Sequence, residues 1–122
     1  MTMTELSDRA PISVHTSQDQ AVPVTAVAGE IDMSTADLVW NEVHARLAMK
    51  PDVLVLDLSG VEFIGSAGIH VLVHSQLEAE DGGTKLAVVV PEQSFASRVL
   101  RTAGVNEMLD LHADLPSAMS TR

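Results

Sequence analysis

The chain has 122 residues, of which 46% are hydrophobic and only 2% aromatic, so we expect one domain with an aliphatic core. Seventeen acidic and seven basic side chains give a formal net charge of −10, which disfavours binding to nucleic acid or to an anionic membrane. Cysteine is absent, which excludes disulfides, thiolate nucleophiles and cysteine-ligated zinc. The sequence has no recognisable leader or membrane-spanning stretch, and we expect a cytoplasmic monomer without cofactor or metal.

Hydrophobic periodicity predicts strands that alternate with helices. The predicted order is strand, strand, helix, strand, helix, strand, helix and a weak final strand. The strands are expected at residues 12–15, 21–28, 53–58, 85–90 and 108–111, and the helices begin near residues 34, 65 and 95. This order is typical of a single-domain α/β fold with a mixed, mostly parallel sheet and helices packed against it. We expect residues 1–11 as a flexible tail, 12–112 as the domain and 113–122 as a weak helix or tail.

Proline, glycine and serine predict interruptions in two of the strands. Pro23 lacks the backbone N–H that a central strand needs, so its run is interpreted as an edge or late-starting strand. Gly29 is expected to end that strand, and Ser59 with Gly60 to end the next one. We expect a structural turn there, in which the Asp57 carboxylate orders the backbone at Ser59 and Gly60.

Two chemically unusual loops each follow a strand and precede a helix. They are Gly29-Glu-Ile-Asp32 and the segment from Ser59 to Gly68. Loops at the carboxyl ends of parallel strands meet at one edge of the sheet, where ligands and partners bind, so we expect these two to be neighbours. Ser66 stands at a helix start, where backbone N–H groups and the helix dipole favour a phosphoryl group. The simpler interpretation is that Gly65 and Gly68 serve only the turn and that Ser66 caps the helix.

The sequence around Ser66 partly matches two catalytic motifs, but each match lacks a required residue. Gly60 and Gly65 have the Walker A spacing, but the lysine that should precede Ser66 is missing, which argues against a nucleotide site. Ile64 stands where a G-x-S-x-G nucleophile elbow has its first glycine. His112 could complete a serine hydrolase, but the chain is short for that fold and we do not predict an enzyme.

Two histidines on the second predicted helix could chelate a metal. His70 and His74 are four residues apart and therefore share one helix face. The sequence offers neither the H-E-x-x-H glutamate nor a nearby third ligand. We therefore predict no metal site and interpret the pair as a solvated or partner-facing surface.

The two unusual loops resemble the signatures of a known family. Gly29-Glu-Ile-Asp32 resembles the GE(L/I)D signature of bacterial anti-sigma-factor antagonists, which are STAS domains. Residues 57–69 resemble that family's signature D-x-S-G-V-x-F-x-D-S-x-G-L, and the third helix with Gly104-Val105 resembles its ending R-x-x-x-x-x-G-L. The resemblance extends over about residues 12–112 and implies a STAS fold.

The resemblance implies a regulatory binding protein and not an enzyme. Members of the family bind an anti-sigma factor, usually a serine kinase with an ATP-binding fold, and thereby release a sigma factor. The kinase phosphorylates the serine after the signature's Asp, which ends binding, and a PP2C-like phosphatase restores the active form. By this resemblance the phosphorylation site is Ser66. The implied partner-binding residues are Asp32, Gly65, Ser66, Ala67, Gly68, Ile69 and His70.

One position departs from the family pattern. Gly65 stands where the signature has an Asp beside the acceptor serine, which removes a carboxylate that could orient the hydroxyl or help to hold a cation. Two alternatives therefore stay open. The protein could bind its partner without a phosphorylation switch, or it could be a STAS module that senses a small ligand such as a nucleotide or a lipid.

Overall fold

A five-stranded sheet whose strands follow one another in chain order forms the centre of the protein. The computed structural model describes residues 12–120. The elements are, in chain order, β1 (Ile12–Asp19), β2 (Val22–Ile31), α1 (Ala36–Leu47), β3 (Val53–Ile64), α2 (Ser66–Gly82), β4 (Lys85–Val89), α3 (Phe95–Ala103), β5 (Asp110–His112) and α4 (Leu115–Met119). β1 pairs antiparallel with β2, and the remaining neighbours pair in parallel. The predicted α/β fold with a mixed, mostly parallel sheet is confirmed.

Residues 53–56 of β3 are buried on both faces of the sheet, which explains the continuous aliphatic run there. On one face, leucines 54, 56 and 58 of β3 pack with α1, α2 and α3 in the main core. On the other face, Val53 and Val55 belong to a smaller cluster of valines and alanines that α4 covers through Ala118. The larger helical layer therefore lies on one side of the sheet.

The spacing of apolar residues and the positions of glycines explain where the helices pack and where they end. α1 buries Ala36, Val39, Val43 and Leu47, which recur every three or four residues and so form one apolar stripe. Gly83 follows α2 and Gly104 follows α3 as C-cap residues, both in the left-handed region (φ 78° and 76°). Glycine adopts this conformation without the steric cost that other residues incur.

β2 is an internal strand, so the interpretation of an edge strand is wrong. It lies between β1 and β3. Pro23 is the second residue of the strand and pairs with Gln18 next to the hairpin turn. The parallel ladder with β3 begins only at Val24, so the missing N–H of Pro23 does not interrupt that ladder.

β2 and β3 are both longer than expected, because neither ends at its glycine. β2 continues past Gly29 to Ile31, and β3 continues past Gly60 to Ile64, through two shifts of the pairing register. A Cβ atom at Gly60 would lie 2.9 Å from the Cβ of Ala28. Gly60 therefore permits close approach of the two strands and does not end the second one.

The ends of the chain are only partly described. The predicted tail at residues 1–11 lies outside the described residues. Within the predicted C-terminal segment, Asp114 caps α4 by accepting a hydrogen bond from the N–H of Ser117 at 2.9 Å. None of the helices between residues 12 and 120 is long and apolar enough to cross a membrane.

Candidate functional site

The two signature loops start from adjacent positions at the carboxyl end of the sheet. Ile31 and Ile64, the last residues of β2 and β3, are register partners in the parallel ladder. The N–H of Gly65 donates to the carbonyl of Ile31 at 2.9 Å and ties the second loop to the first. Sequence reasoning from parallel topology therefore placed the two loops together correctly.

Ser66 is the first residue of α2, with Gly65 and not Ser66 as the N-cap. The Ser66 side chain is exposed, and within residues 12–120 its hydroxyl has no hydrogen-bond partner. The first turn of α2 contains no acidic side chain, so the partial positive charge of the helix start is not compensated there. The serine thus offers a free hydroxyl at a position that is favourable for an anion.

Gly65 has a backbone conformation that any residue can adopt (φ −98°, ψ −173°). A Cβ atom there would lie 3.4 Å from Cε2 and 3.7 Å from Cζ of Phe63, which is ordinary contact. The fold therefore does not require glycine at this position. The missing carboxylate concerns the chemistry of the site and not its packing.

Gly68 is required by packing. A Cβ atom at Gly68 would lie 2.6 Å from Cγ1 of Ile64 and 2.8 Å from Cγ2 of Ile31, and both isoleucines are buried. The first turn of α2 therefore rests directly on the ends of β2 and β3. Gly68 itself is buried, while Ala67 and Ile69 are half-buried and pack on the main core.

The loop after β2 is ordered by the carboxylate of Asp32. Its Oδ1 atom accepts hydrogen bonds from the N–H and the hydroxyl of Ser34 at 2.9 and 2.7 Å, and from the hydroxyl of Thr35 at 3.3 Å. The hydrogen bonds from Ser34 are the largest cause that lowers the pKa of Asp32 below its ordinary value. The carboxylate is therefore ionised at neutral pH.

The two loops enclose a surface cleft, which we call the Ser66 cleft. Its lining consists of Asp32, Met33, Ser34, Phe63, Gly65, Ser66 and Ala67. Met33 is 89% exposed. Phe63 is 40% exposed and stacks on Phe95 from the start of α3, with ring centroids 5.7 Å apart. An acidic group, a free serine and protruding apolar side chains thus share one surface.

Sequence reasoning did not name Met33, Phe63 or Phe95 as partner-binding residues. Phe63 lies within the second signature and Phe95 marks the predicted third helix, but neither pattern assigns the ring to a binding surface. Met33 lies outside any periodic pattern, so periodicity could not mark it. A weak signal was available for Met33, because it directly follows Gly29-Glu-Ile-Asp32 in a loop where nothing predicts its burial.

A second depression, the α1–α2 groove, adjoins the Ser66 cleft and shares Met33 and Ala67 with it. The complete lining is Met33, Ala36, Asp37, Trp40, Ala67, His70, Val71 and His74. The ring of His74 lies between those of His70 and Trp40, with centroid distances of 6.3 Å to each. No three His, Asp or Glu side chains in the described part of the chain are arranged to hold a metal ion.

The residues of the expected structural turn lie elsewhere, within β3. Oδ1 of Asp57 accepts hydrogen bonds from the N–H of Ser59 at 3.0 Å and from its hydroxyl at 2.7 Å. Neither Asp57 nor Ser59 lines the Ser66 cleft. Nε2 of His112 lies 3.1 Å from Oδ2 of Asp110, and its Nδ1 lies 2.8 Å from Oγ of Ser117.

The fold and the site define a small α/β domain that presents a serine at a surface edge between two signature loops. A family model described as "Mlab, STAS domain" matches residues 14–111, and the chain belongs to the STAS domain family.

Its relatives include two proteins of Mycobacterium tuberculosis. The anti-sigma-F factor antagonist RsfB is 31% identical over 109 residues, which are 89% of this chain and 88% of RsfB. The anti-sigma-F factor antagonist RsfA is 29% identical over 105 residues, which are 84% of this chain and 80% of RsfA. An anti-sigma factor antagonist from Mycobacterium paratuberculosis, known from a crystal structure, superposes with a TM-score of 0.81 and 30% identity over 89% of this chain and 92% of that one. The family resemblance of the two signatures is confirmed.

Proposed function

We propose that this protein is an anti-sigma-factor antagonist that binds an anti-sigma factor in the cytoplasm and thereby frees a sigma factor. The similarity to RsfB and RsfA, both anti-sigma-F factor antagonists, supports this role. The observation that carries it is the Ser66 cleft, where a free serine hydroxyl at a helix start adjoins a protruding methionine and an ionised carboxylate. The protein acts as a ligand and a kinase substrate and catalyses nothing itself.

The binding surface combines apolar anchors with negative charge. Met33 and Phe63 are apolar side chains that a partner can bury, and such central residues usually contribute most of the binding energy. Asp32 is the charged residue of the cleft, on a protein of net charge −10. The partner surface is therefore expected to be basic around an apolar centre. Ala67, Ile69 and His70 extend the surface along α2.

Phosphorylation of Ser66 ends the complex in this proposal. The partner is a serine kinase with an ATP-binding fold, and a PP2C-like phosphatase removes the phosphate. A phosphoryl group adds about −1.5 to −2 charges at pH 7, and the start of α2 can accommodate it. It would stand in the same cleft as the Asp32 carboxylate and the apolar anchor Met33. Like-charge repulsion and the cost of burying the phosphate then oppose docking.

Affinity capture from lysates of native cells tests this proposal. Tagged wild-type protein and the Ser66→Ala variant should retain an anti-sigma factor, identified by mass spectrometry and by its separate binding of a sigma subunit. Ser66→Glu should retain at least about tenfold less. Ser59→Glu is the matched control, because it adds the same charge at an exposed serine outside the cleft and should behave like wild type. If the wild-type protein captures no sigma-binding protein, the antagonist role is wrong.

One observation favours a second candidate, an antagonist that binds its partner without the switch. The backbone and surroundings of Gly65 would accept the family's Asp, yet this chain has no carboxylate there. In this second candidate the captured kinase and ATP do not modify Ser66, and Gly65→Asp restores transfer to it. Equal transfer to Ser66 in wild type and Gly65→Asp, measured with radiolabelled ATP, would exclude this candidate.

A further inference from the structure

A second serine of the Ser66 cleft has the carboxylate neighbour that Ser66 lacks. Ser34 is exposed, and its hydroxyl donates to Oδ1 of Asp32 at 2.7 Å. Its N–H donates to the same oxygen at 2.9 Å, so the serine is held in place by both its backbone and its side chain. A hydroxyl in this position is oriented by an ionised acceptor.

Ser34 and Ser66 differ in chemistry but share a location. Both line the Ser66 cleft, one in each signature loop. The hydroxyl of Ser66 has no hydrogen-bond partner within residues 12–120, and its preceding residue is Gly65. A kinase that brings the γ-phosphoryl group of ATP to this cleft therefore meets two serines, and only Ser34 has a carboxylate on its hydroxyl.

We propose that Ser34 is a second phosphoryl acceptor of this protein, modified from ATP by the kinase that docks at the Ser66 cleft. The inference rests on the proposed function, since it needs the kinase partner. Asp32 orients the Ser34 hydroxyl and takes up its proton during the transfer.

Phosphoryl transfer from ATP to Ser34 needs no reactant beyond ATP, the serine and water. Oγ of Ser34 attacks the γ-phosphorus of ATP, an Oγ–P bond forms, the bond from the γ-phosphorus to the bridging oxygen breaks, and ADP leaves. The hydroxyl proton passes along its hydrogen bond to Asp32 and from there to water. Phosphoryl transfer depends mostly on positioning, so an oriented hydroxyl is the main requirement on the acceptor side.

Modification of Ser34 would rearrange the loop that carries Met33. A phosphoserine has no hydroxyl proton to donate, so the 2.7 Å hydrogen bond to Asp32 is lost. The phosphate then stands beside an ionised carboxylate and is repelled by it, while the start of α1, two residues later, attracts it. Met33 lies between Ser34 and Asp32 in the chain, so the apolar anchor moves with the loop.

Mass spectrometry of the full chain from native cells tests the proposal. Tagged wild type, Ser34→Ala, Ser66→Ala and Asp32→Asn are purified from growing and from stationary cells, and intact masses and tryptic peptides are measured. Cleavage at Arg46 places Ser34 and Ser66 on different peptides. We expect a phosphate at Ser34 that persists in Ser66→Ala, vanishes in Ser34→Ala and falls at least about tenfold in Asp32→Asn, which keeps a hydrogen-bond acceptor.

Ser59 is the internal control, because it makes the same pair of hydrogen bonds with Asp57 but lies outside the cleft. Phosphate at Ser59 as often as at Ser34 would mean that the local Asp–Ser pair, and not the cleft, selects the site, and would overturn the proposal. Phosphate confined to Ser66 also overturns it and leaves the switch intact. No phosphate at either serine, with partner capture unchanged, overturns both the Ser34 site and the switch. Loss of capture by the wild type is instead the failure of the antagonist role.

Discussion

The loops at the two ends of the sheet differ in how they are built. At the carboxyl end, the loop after β2 is held by hydrogen bonds to Asp32, and α2 begins against the strands through the close packing of Gly68. At the amino end, Gln20, Ala21 and Lys50 take positive φ angles of 52°, 67° and 53°. Residues other than glycine enter this region only at a cost of about 1–2 kcal/mol.

The candidate binding site and the residues with strained backbone angles therefore lie at opposite ends of the sheet. The end that carries the candidate site is shaped by hydrogen bonds and by contacts beneath it, whereas the strained turns lie at the opposite end. Strain in this protein is therefore not evidence of function, and its relief should not affect partner binding. Each of the following predictions changes a residue at one of the two ends and includes a control substitution.

The largest effect is expected for Gly68→Ala. Its new methyl group would lie within 3 Å of the buried Ile31 and Ile64, and such overpacking costs about 1–3 kcal/mol of unfolding free energy. Urea denaturation measures the loss. Gly82→Ala at the far end of α2 is the matched control, since its nearest neighbour would be the flexible Nζ of Lys50 at 3.7 Å. A Gly68→Ala variant as stable as wild type would show that α2 does not need this close approach.

Exposed methionines at the two ends should differ in binding. Met33 is 89% exposed beside Ser66, and Met49 is 70% exposed just after α1, at the amino end of the sheet. We expect Met33→Ala to weaken binding of the captured partner about tenfold, or about 1.4 kcal/mol, and Met49→Ala to change it by less than twofold. Calorimetric titration measures both. Equal losses from the two variants would place the binding surface elsewhere.

Relief of strain at the amino end is expected to be a smaller effect of opposite sign. Lys50→Gly should raise the unfolding free energy by about 0.5–1 kcal/mol, because glycine adopts positive φ without steric cost. Ala48→Gly is the control, since Ala48 has ordinary helical angles and glycine should destabilise it by a similar amount. Thermal denaturation compares the two, and partner binding should be unchanged in both. A destabilised Lys50→Gly protein would contradict the assignment of strain there.

The smallest effect concerns the titration of Asp32. Hydrogen bonds from Ser34 lower its pKa below the ordinary value of about 3.9, and Ser34→Ala should move the pKa back upward. Because the folded-state pKa is depressed, the stabilisation is present above the unfolded pKa and is lost as pH falls through the folded pKa. NMR titration of the carboxyl carbon measures the change. The Ser59→Ala variant should leave the Asp32 titration curve where it is.

The sequence predicted the sheet, its parallel character and the contact between the two signature loops. It did not predict that β3 continues beyond Gly60, because the signal for a break is local whereas the strand is held by its pairing with Ala28. Pro23 was misleading for a similar reason. Proline is excluded from central strands because it cannot donate a hydrogen bond inside a ladder, and here the ladder with β3 starts one residue after Pro23.

The sequence predicted those site residues that lie within the two signatures. It did not predict contacts that depend on how separate elements pack together. Ser66, Asp32 and Ala67 follow from the two signatures. The stacking of Phe63 on Phe95 requires α3 to approach the end of β3, and the ring contacts of Trp40 require α1 to lie beside α2. Neither contact can be derived from periodicity in one segment.

The order of the strands has a consequence for how the protein comes to be folded. Every strand pairs with its chain neighbour, so no pairing has to wait for a distant segment. Low sequence separation between contacts favours fast folding, and a growing chain can add each unit to the one before it. Both signature loops lie before β4, so they can meet while the second half of the chain is still being synthesised.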